Sequence, residues 1–564
     1  MLRNVLASLL FLAAFQAGVT SGSPHQFPVQ VSGGSQTNEG YCPQFAALQP
    51  SKHHGLDVAL ESEYNSPGFL YNAIHALSTV VRVPSASYDG MASVDEDPRW
   101  EIFGTLHAEL ERLFPVVFDT LEVTKVNKYA LVFQWKGSDE SLKPVLLTAH
   151  MDVVPVEPAT AGDWIHPPFS GYFDGTWLWG RGSADDKPDV VSILTSITHL
   201  LKHDFTPRRT LVVAFGIDEE SGGQHGAYEN GKYLEERYGT DAFAVLLDEG
   251  APFMELYGGD VIFAMPYTAE KGYFDLKVEI STLGGHSSVP PRHTAIGMLA
   301  SAVIQLEAHP HETQLLRTGT LFQEVQCAAS YGPAVPEKIR KLAKAAVDDD
   351  DALAALAEAV LEWNPMAGAS LATTQAVDLI SGGVKVNALP EKAHFVVNHR
   401  IAAHSSVADL QARTAKLLQP VAERYDLSLA AFGKNVTAGS GAGGHLVLSD
   451  AFGTALNPAP ITPTGHTPVY ALVAGTIMAA FESSVEYKNR TAVVQPSFAL
   501  GTTDTKHYWN LTRNIYRYGH THMSNYYNGA HTINEASKPK SLVDKIAFHT
   551  KFILNWDESD IERF

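Results

Sequence analysis

At 564 residues the chain is longer than one hydrophobic core usually serves, and its 45% apolar residues suffice for two domains, which excludes a disordered or fibrous protein. Its 62 acidic against 41 basic residues, a formal charge of -21, exclude a nucleic-acid-binding surface and leave a solubilising acidic exterior. Only two cysteines, Cys42 and Cys327, are present, so no disulfide framework is expected, and their separation in the sequence argues against a single bridge.

The N-terminus carries Arg3, an apolar run from Val5 to Phe15 and small residues from Gly18 to Gly22, the pattern of a secretory signal over residues 1–22. The run is too short to span a bilayer comfortably, so cleavage is preferred over a retained anchor and no stable membrane insertion is expected. Residues 23–45, rich in Gly, Ser, Gln and Pro, read as a flexible leader. The chain is therefore expected in the secretory pathway, outside the cell or in a vacuolar lumen. Sequons at Asn435, Asn489 and Asn510 are the matching glycosylation candidates.

From residue 46 short apolar runs alternate with helix-length stretches. Tyr129 to Phe133, Val145 to Ala149, Thr210 to Phe215 and Ala242 to Leu247 read as buried strands, and Val190 to Lys202 as a helix. This alternation predicts an α/β domain, a central mixed sheet flanked by helices, with His150, Asp218 and Asp248 at strand ends, where such sheets bind ligands. Near Glu270 the texture changes. Residues 273–280 and 394–401 alternate apolar and polar positions like half-exposed antiparallel strands, with helical stretches such as Val347 to Trp363 between them. A smaller α+β domain is thus expected at 268–425, inserted into a larger one made of 46–267 and 426–564.

His150-Met151-Asp152 offers a histidine suited to a metal, with Asp152 placed to accept its other ring proton. Alone, such a triplet is usually a polar strand end. Gly180 to Lys187 sets Asp185-Asp186 before a helix, where acids also favour the positive end of the dipole. Asp218-Glu219-Glu220 and Asp248-Glu249 end two further strands, and adjacent carboxylates repel one another unless cations or water compensate them. His531 stands in Asn528 to Glu535. Singly each is ordinary. Together these five sites supply two histidines and several carboxylates, the donor set for a pair of zinc ions.

The same residues resemble the M20 family of co-catalytic metallopeptidases, over about residues 60–555. Within it the likeness is to the carboxypeptidase S (Gly-X carboxypeptidase) branch, through Thr464 to Tyr470, Gly501 to Thr512 and Gly529 to Glu535. The resemblance implies two zincs per subunit bridged by Asp185. His150 with either Asp248 or Glu249 completes one ion, and Glu220 with His531 the other; the choice between the two acids stays open. It further implies Glu219 as general base, with Asp152 fixing the His150 tautomer, and a non-proline cis bond at Asp185-Asp186. From the inserted lid domain it brings His286, in Gly284 to Pro291, as an oxyanion donor that in relatives reaches a partner subunit's site. If that holds here, a homodimer through that domain is implied; in a monomer, closure of the domain would have to deliver His286 instead. Asn387 and Arg400 match the family's candidates for the substrate carboxylate. Lys506 stands where relatives often have arginine, and lysine cannot form arginine's planar fork.

The leading expectation is a two-zinc carboxypeptidase that hydrolyses the C-terminal bond of short peptides, of the Gly-X type, with metal-activated water and a glutamate base. An N-acyl amino acid amidohydrolase, fatty-acyl substrates included, uses the same constellation and is the second reading. A secreted binding protein that kept the fold without activity is the third. The expected ligand is a peptide or an N-acyl amino acid.

Overall fold

The apolar runs become strands whose burial follows from their place in the sheet. In the computed structural model, which describes residues 41–564, the first strands are β1 (Glu122–Val126), β2 (Ala130–Trp135), β3 (Val145–His150), β4 (Leu211–Gly216), β5 (Val245–Phe253) and β6 (Tyr267–Glu270). A second series comprises β7 (Gly272–Ser281), β8 (Thr374–Gly382), β9 (Lys392–Ile401), β10 (Leu427–Ala431), β11 (Lys434–Val436) and β12 (Gly444–Asp450). The chain then returns with β13 (Ser497–Ala499) and β14 (Ile515–His522). The expected signal at 1–22 and the leader up to residue 40 lie outside the described residues.

The main sheet has eight strands in the order β1-β2-β4-β3-β5-β14-β6-β13. β3 runs parallel to both β4 and β5, whereas β1 and β2 are antiparallel at one edge. All six residues of β3 and of β4 are buried. A parallel sheet covered on both faces has no wet side, which is why these strands read as unbroken apolar runs. Helices α1 (Lys187–Lys202), α2 (Pro468–Ser483) and α3 (Pro539–Glu558) supply cover, α3 packing on both of the others. The architecture is the expected mixed α/β sheet flanked by helices, with additional sheets. The register also sets the site, since neighbouring β4, β3 and β5 bring Asp218, His150 and Asp248-Glu249 towards one edge.

The second sheet, in the order β8-β9-β7-β12-β10-β11, has one face to its own core, and β7 alternates buried and half-buried positions accordingly. Phe274, Leu276, Leu299, Phe395 and Leu418 fill that core. Two boundaries differ from the sequence expectation. β10 and β12 belong to this sheet, so it reaches Asp450 rather than ending at 425. The helices Thr320–Tyr331, Glu337–Ala345 and Asp350–Trp363, placed by sequence in the inserted domain, bury Phe322, Ile339 and Leu356 in a separate core with Tyr257, Phe263 and Val493. Local texture marks strands and helices but not which core they join.

The leader and the cysteines need correction too. Tyr41 packs edge-on against Phe322 with ring centroids 4.8 Å apart, and the Gln44 amide bonds both ways to Val494, so residues 41–45 are part of the fold. Cys42 and Cys327 form a disulfide across 285 residues, with Cα atoms 5.1 Å apart. Sequence separation was no obstacle, because the fold supplies the proximity. Replacing Cys327 with serine is expected to cost about 2–4 kcal/mol of stability, because the open chain gains entropy when unfolded. A thermal midpoint unchanged in oxidised protein would show that the bridge contributes nothing.

Candidate metal centre

β3 ends at His150, whose Nε2 lies 3.1 Å from Asp185 Oδ1 and 3.4 Å from Glu249 Oε1. The other oxygen of Asp185, Oδ2, is 3.1 Å from His531 Nε2, and that nitrogen is 2.8 Å from Glu220 Oε1. Asp185 thus stands between two histidine–carboxylate groups and offers one oxygen to each. Zinc–ligand bonds of about 2.0–2.2 Å in a tetrahedron hold donor atoms roughly 3.3–3.6 Å apart, close to these separations. The Asp185-Asp186 peptide is cis.

Of the two acids, Glu249 is the one whose carboxylate lies beside His150. Successive residues of a strand face opposite sides, and in β5 it is Glu249 that turns towards His150. The Asp248 carboxylate is held elsewhere, its Oδ1 accepting from Thr148 Oγ1 at 2.6 Å. Asp186, which sequence reading left without a role, groups with His150 and Glu249, and its Oδ2 accepts from the His150 backbone N–H at 3.3 Å.

Asp152 is fully buried and holds two parts of the site together. Its Oδ1 and Oδ2 accept from the backbone N–H groups of Glu219 and Glu220 at 3.1 and 3.2 Å, and Ser87 Oγ donates to Oδ2 at 2.6 Å. His150 Nδ1 lies 3.1 Å from the Asp152 carbonyl oxygen, which fixes the ring with Nε2 inward. Glu535 does the same for the other loops: its carboxylate accepts from the Arg181 guanidinium and, at 2.9 Å each, from the N–H groups of Gly182 and Ala184. Behind the Glu219–Ser221 turn, the buried Asp504 carboxylate sits so close to Gly223 that a Cβ there would lie 2.2 Å from Oδ1; Gly223 also has φ +74°. Sequence reading gave Arg181, Glu535 and Asp504 no role. The available signal for Arg181 and Glu535 was that they lie in the same glycine-containing stretches as Asp185 and His531.

The electrostatics show what the donors require. Burial raises the Glu219 carboxyl well above its usual range; His150 opposes this, and the charges of Glu249, Glu220 and Asp504 reinforce it. Burial likewise pushes Glu249 up to about 8, His150 opposing and Asp185 adding. For Asp185 burial acts in the same direction, but hydrogen bonds from His150 and His531 outweigh it and hold the group low. His531 is opposed by burial and still rises to about 11, through Asp185 and Glu220. Crowded, buried carboxylates that raise both His150 and His531 mark a pocket suited to positive charge. Imidazole and carboxylate donors around a two-sided aspartate suit a borderline divalent ion such as zinc.

The remaining sequence candidates lie elsewhere. His286 is exposed, and its Nδ1 accepts from Ser288 N at 3.1 Å, in a ribbon formed by Gly285–His286 and Ala388–Leu389. Asn387 is exposed beside that ribbon. Arg400 lies on the second sheet, half-buried over the Tyr273 ring at 5.8 Å. No hydrogen bond or ion pair joins these three to the donors among the described residues. Lys506 is half-buried, and its charge acts on Asp218 and Asp504. Asn435, Asn489 and Asn510 are all exposed. No helix among the described residues is long and apolar enough to cross a membrane.

Comparison with known proteins accords with this geometry. The profile of peptidase family M20/M25/M40 matches residues 146–555. The chain is 36% identical to carboxypeptidase S of Saccharomyces cerevisiae, over 98% of this chain and 96% of that protein. It is 31% identical to the N-fatty-acyl-amino acid synthase/hydrolase PM20D1 of Bos taurus, over 86% of this chain and 88% of the relative. Among solved structures, the M20 family metallo-carboxypeptidase Sso-CP2 from Sulfolobus solfataricus superposes with a TM-score of 0.55 at 18% identity, covering 86% of this chain and 99% of that one. That last likeness speaks for the fold alone. With a matching profile over most of its length and close relatives over nearly all of it, the chain belongs to peptidase family M20/M25/M40 and is a hydrolase of the metallopeptidase type.

Proposed function

We propose that this protein is a two-zinc carboxypeptidase that hydrolyses the C-terminal bond of short peptides. The observation that carries the proposal is Asp185 between His150 and His531, one carboxylate oxygen 3.1 Å from each ring. His150, Asp185 and Glu249 would hold one zinc, and Asp185, Glu220 and His531 the other. A bound pair would supply Lewis acidity to the attacking water and to the scissile carbonyl. Glu219 accepts the proton of the attacking water and passes it to the leaving amine nitrogen; burial holds its carboxyl above the usual carboxylate range, which makes it the stronger base. Asp152 keeps His150 and the Glu219 turn in register.

The substrate carboxylate is assigned to Asn387 and Arg400, with Lys506 lining the Asp218 and Asp504 side. His286 stabilises the oxyanion from a partner subunit in a homodimer made through the second sheet and its ribbon. Support comes from the exposure of Leu283, Val289, Val384 and Val386, at 99%, 80%, 100% and 96%, around the Gly285–His286 ribbon, since apolar surface of this kind is normally covered in an assembly. The disulfide and the exposed sequons support passage through the secretory pathway to the cell exterior or a vacuolar lumen.

Steady-state assays of zinc-loaded protein on Z-Gly-Leu, N-acetyl-leucine and N-oleoyl-leucine test the reading. Turnover of the blocked dipeptide is expected. Turnover of the acyl amino acids alone would replace the peptidase with the amidohydrolase reading, which the 31% identity to the bovine fatty-acyl hydrolase favours. Tight zinc without turnover of any of the three would leave a binding protein.

A further inference from the structure

The turn that carries Glu219 is short, and its end is soft. Glu219–Ser221 form a single 3₁₀ turn, closed by the bond from Gly222 N to Glu219 O at 2.9 Å, and Gly222 and Gly223 follow with φ of +108° and +74°. Two consecutive glycines restrain the peptide plane between them little, so that plane can flip and swing the turn unless outside groups hold it. Asp152 secures only the start of the turn, through the N–H groups of Glu219 and Glu220. The Gly222-Gly223 peptide is held from both sides. Gly223 N donates to Asp218 O at 2.7 Å, and the carbonyl oxygen of Gly222 lies 3.1 Å from His507 Nε2. Burial, with the Lys506 charge adding to it and the Gly222 bond opposing, brings His507 down to about 4. A neutral imidazole has one N–H, and the carbonyl, which can only accept, requires it on Nε2.

His507 is itself firmly placed. It ends the 3₁₀ turn Asp504–His507, which packs against the base turn at backbone distance: a Cβ on Gly223 would lie 2.2 Å from Asp504 Oδ1 and 2.9 Å from His507 Nε2. The helix that follows the base turn, Ala227–Tyr238, meets the same segment, where a Cβ on Gly231 would lie 2.3 Å from His507 O. Behind it the segment stands on the main sheet. Thr505 Oγ1 accepts from Arg517 Nη2 of β14 at 2.6 Å and donates to Glu270 Oε2 of β6 at 3.1 Å, and these two buried residues pair at 2.7 Å. Among the described residues no hydrogen bond or ion pair joins His507 to the metal donors. We infer that His507 is a positioning residue for the base: by fixing the Gly222-Gly223 peptide plane from the rigid 504–507 segment, it sets the direction in which Glu219 presents its carboxyl. The inference rests on Glu219 as the proposed base.

The test compares His507→Phe, which keeps a ring against Tyr228 but has no donor, with His507→Gln, which keeps an N–H near Nε2 but has no ring. Both are made in the full zinc-loaded chain, with Glu219→Gln alongside, and are assayed below their thermal midpoints on whichever of Z-Gly-Leu, N-acetyl-leucine and N-oleoyl-leucine the unmodified protein hydrolyses. In His507→Phe kcat is expected to fall at least about tenfold, because a displacement of about 1 Å costs up to roughly 10²-fold, while KM stays within about twofold and zinc content is unchanged. In His507→Gln kcat should stay within about threefold of the unmodified protein. Equal losses in the two variants would mark the ring as packing and overturn the assignment, as would failure of His507→Phe to fold. Zinc lost together with activity would overturn it too, by showing that the bond holds the donor Glu220 instead. Full activity of His507→Phe beside an inactive Glu219→Gln would overturn the positioning role alone. An active Glu219→Gln would sink the base reading, and the inference with it.

Discussion

Glu219→Gln is expected to lower kcat by about 10²–10⁴-fold with bound zinc unchanged, because the amide keeps the shape of the side chain but cannot take a proton. The turn is set by backbone groups, the N–H groups of Glu219 and Glu220 donating to Asp152, so the substitution leaves it in place. Glu219 also stands apart from the pairs that link His150 and His531 to Asp185, Glu220 and Glu249, so the donor set survives. Metal analysis beside steady-state kinetics separates the two effects. Activity within a few-fold of the unmodified enzyme removes Glu219 as the base, and loss of zinc would move it into the donor set.

Asp185→Ala should have the larger effect. It removes the one group facing both imidazoles and leaves Glu220 and Glu249 without the carboxylate shared between them. Metal content should fall below one zinc per chain, and kcat/KM by at least about 10³-fold, since metal stabilisation of developing charge is worth several kcal/mol and each 1.36 kcal/mol is tenfold. Thermal unfolding gives an independent reading. Zinc at a thousand times its Kd stabilises the folded state by about 4 kcal/mol, and the variant should lose most of that gain. Two zincs retained at ordinary affinity would show that the bridge is supplied by another group.

Much of this site was legible because each donor stands in a strongly patterned context. His150 follows an unbroken apolar run, Asp185 follows two glycines, and Glu220 and Glu249 end further runs that could only be buried strands. The choice between Asp248 and Glu249 was not legible. Both end the same run, and which one faces the donors depends on where the pleat of β5 places each residue. Glu535 and Arg181 were hidden for a related reason: their value lies in bonds across 350 residues or more to each other and to the Asp185 loop, which no local pattern encodes.

The sequence by itself determined the alternation of strands and helices, the candidate donors and the family to which they point. It did so because burial on both faces of a sheet writes itself as apolar runs, and metal chemistry requires a small set of side chains. Only the tertiary structure decided that Glu249 faces His150, that Cys42 meets Cys327, that the second sheet reaches Asp450, and that the helices of 320–363 join a separate core. Each of these is a matter of which distant surfaces come into contact. Strand pleat, chain reversal and core packing set those contacts over the whole chain, and residues next to one another in sequence carry no record of them.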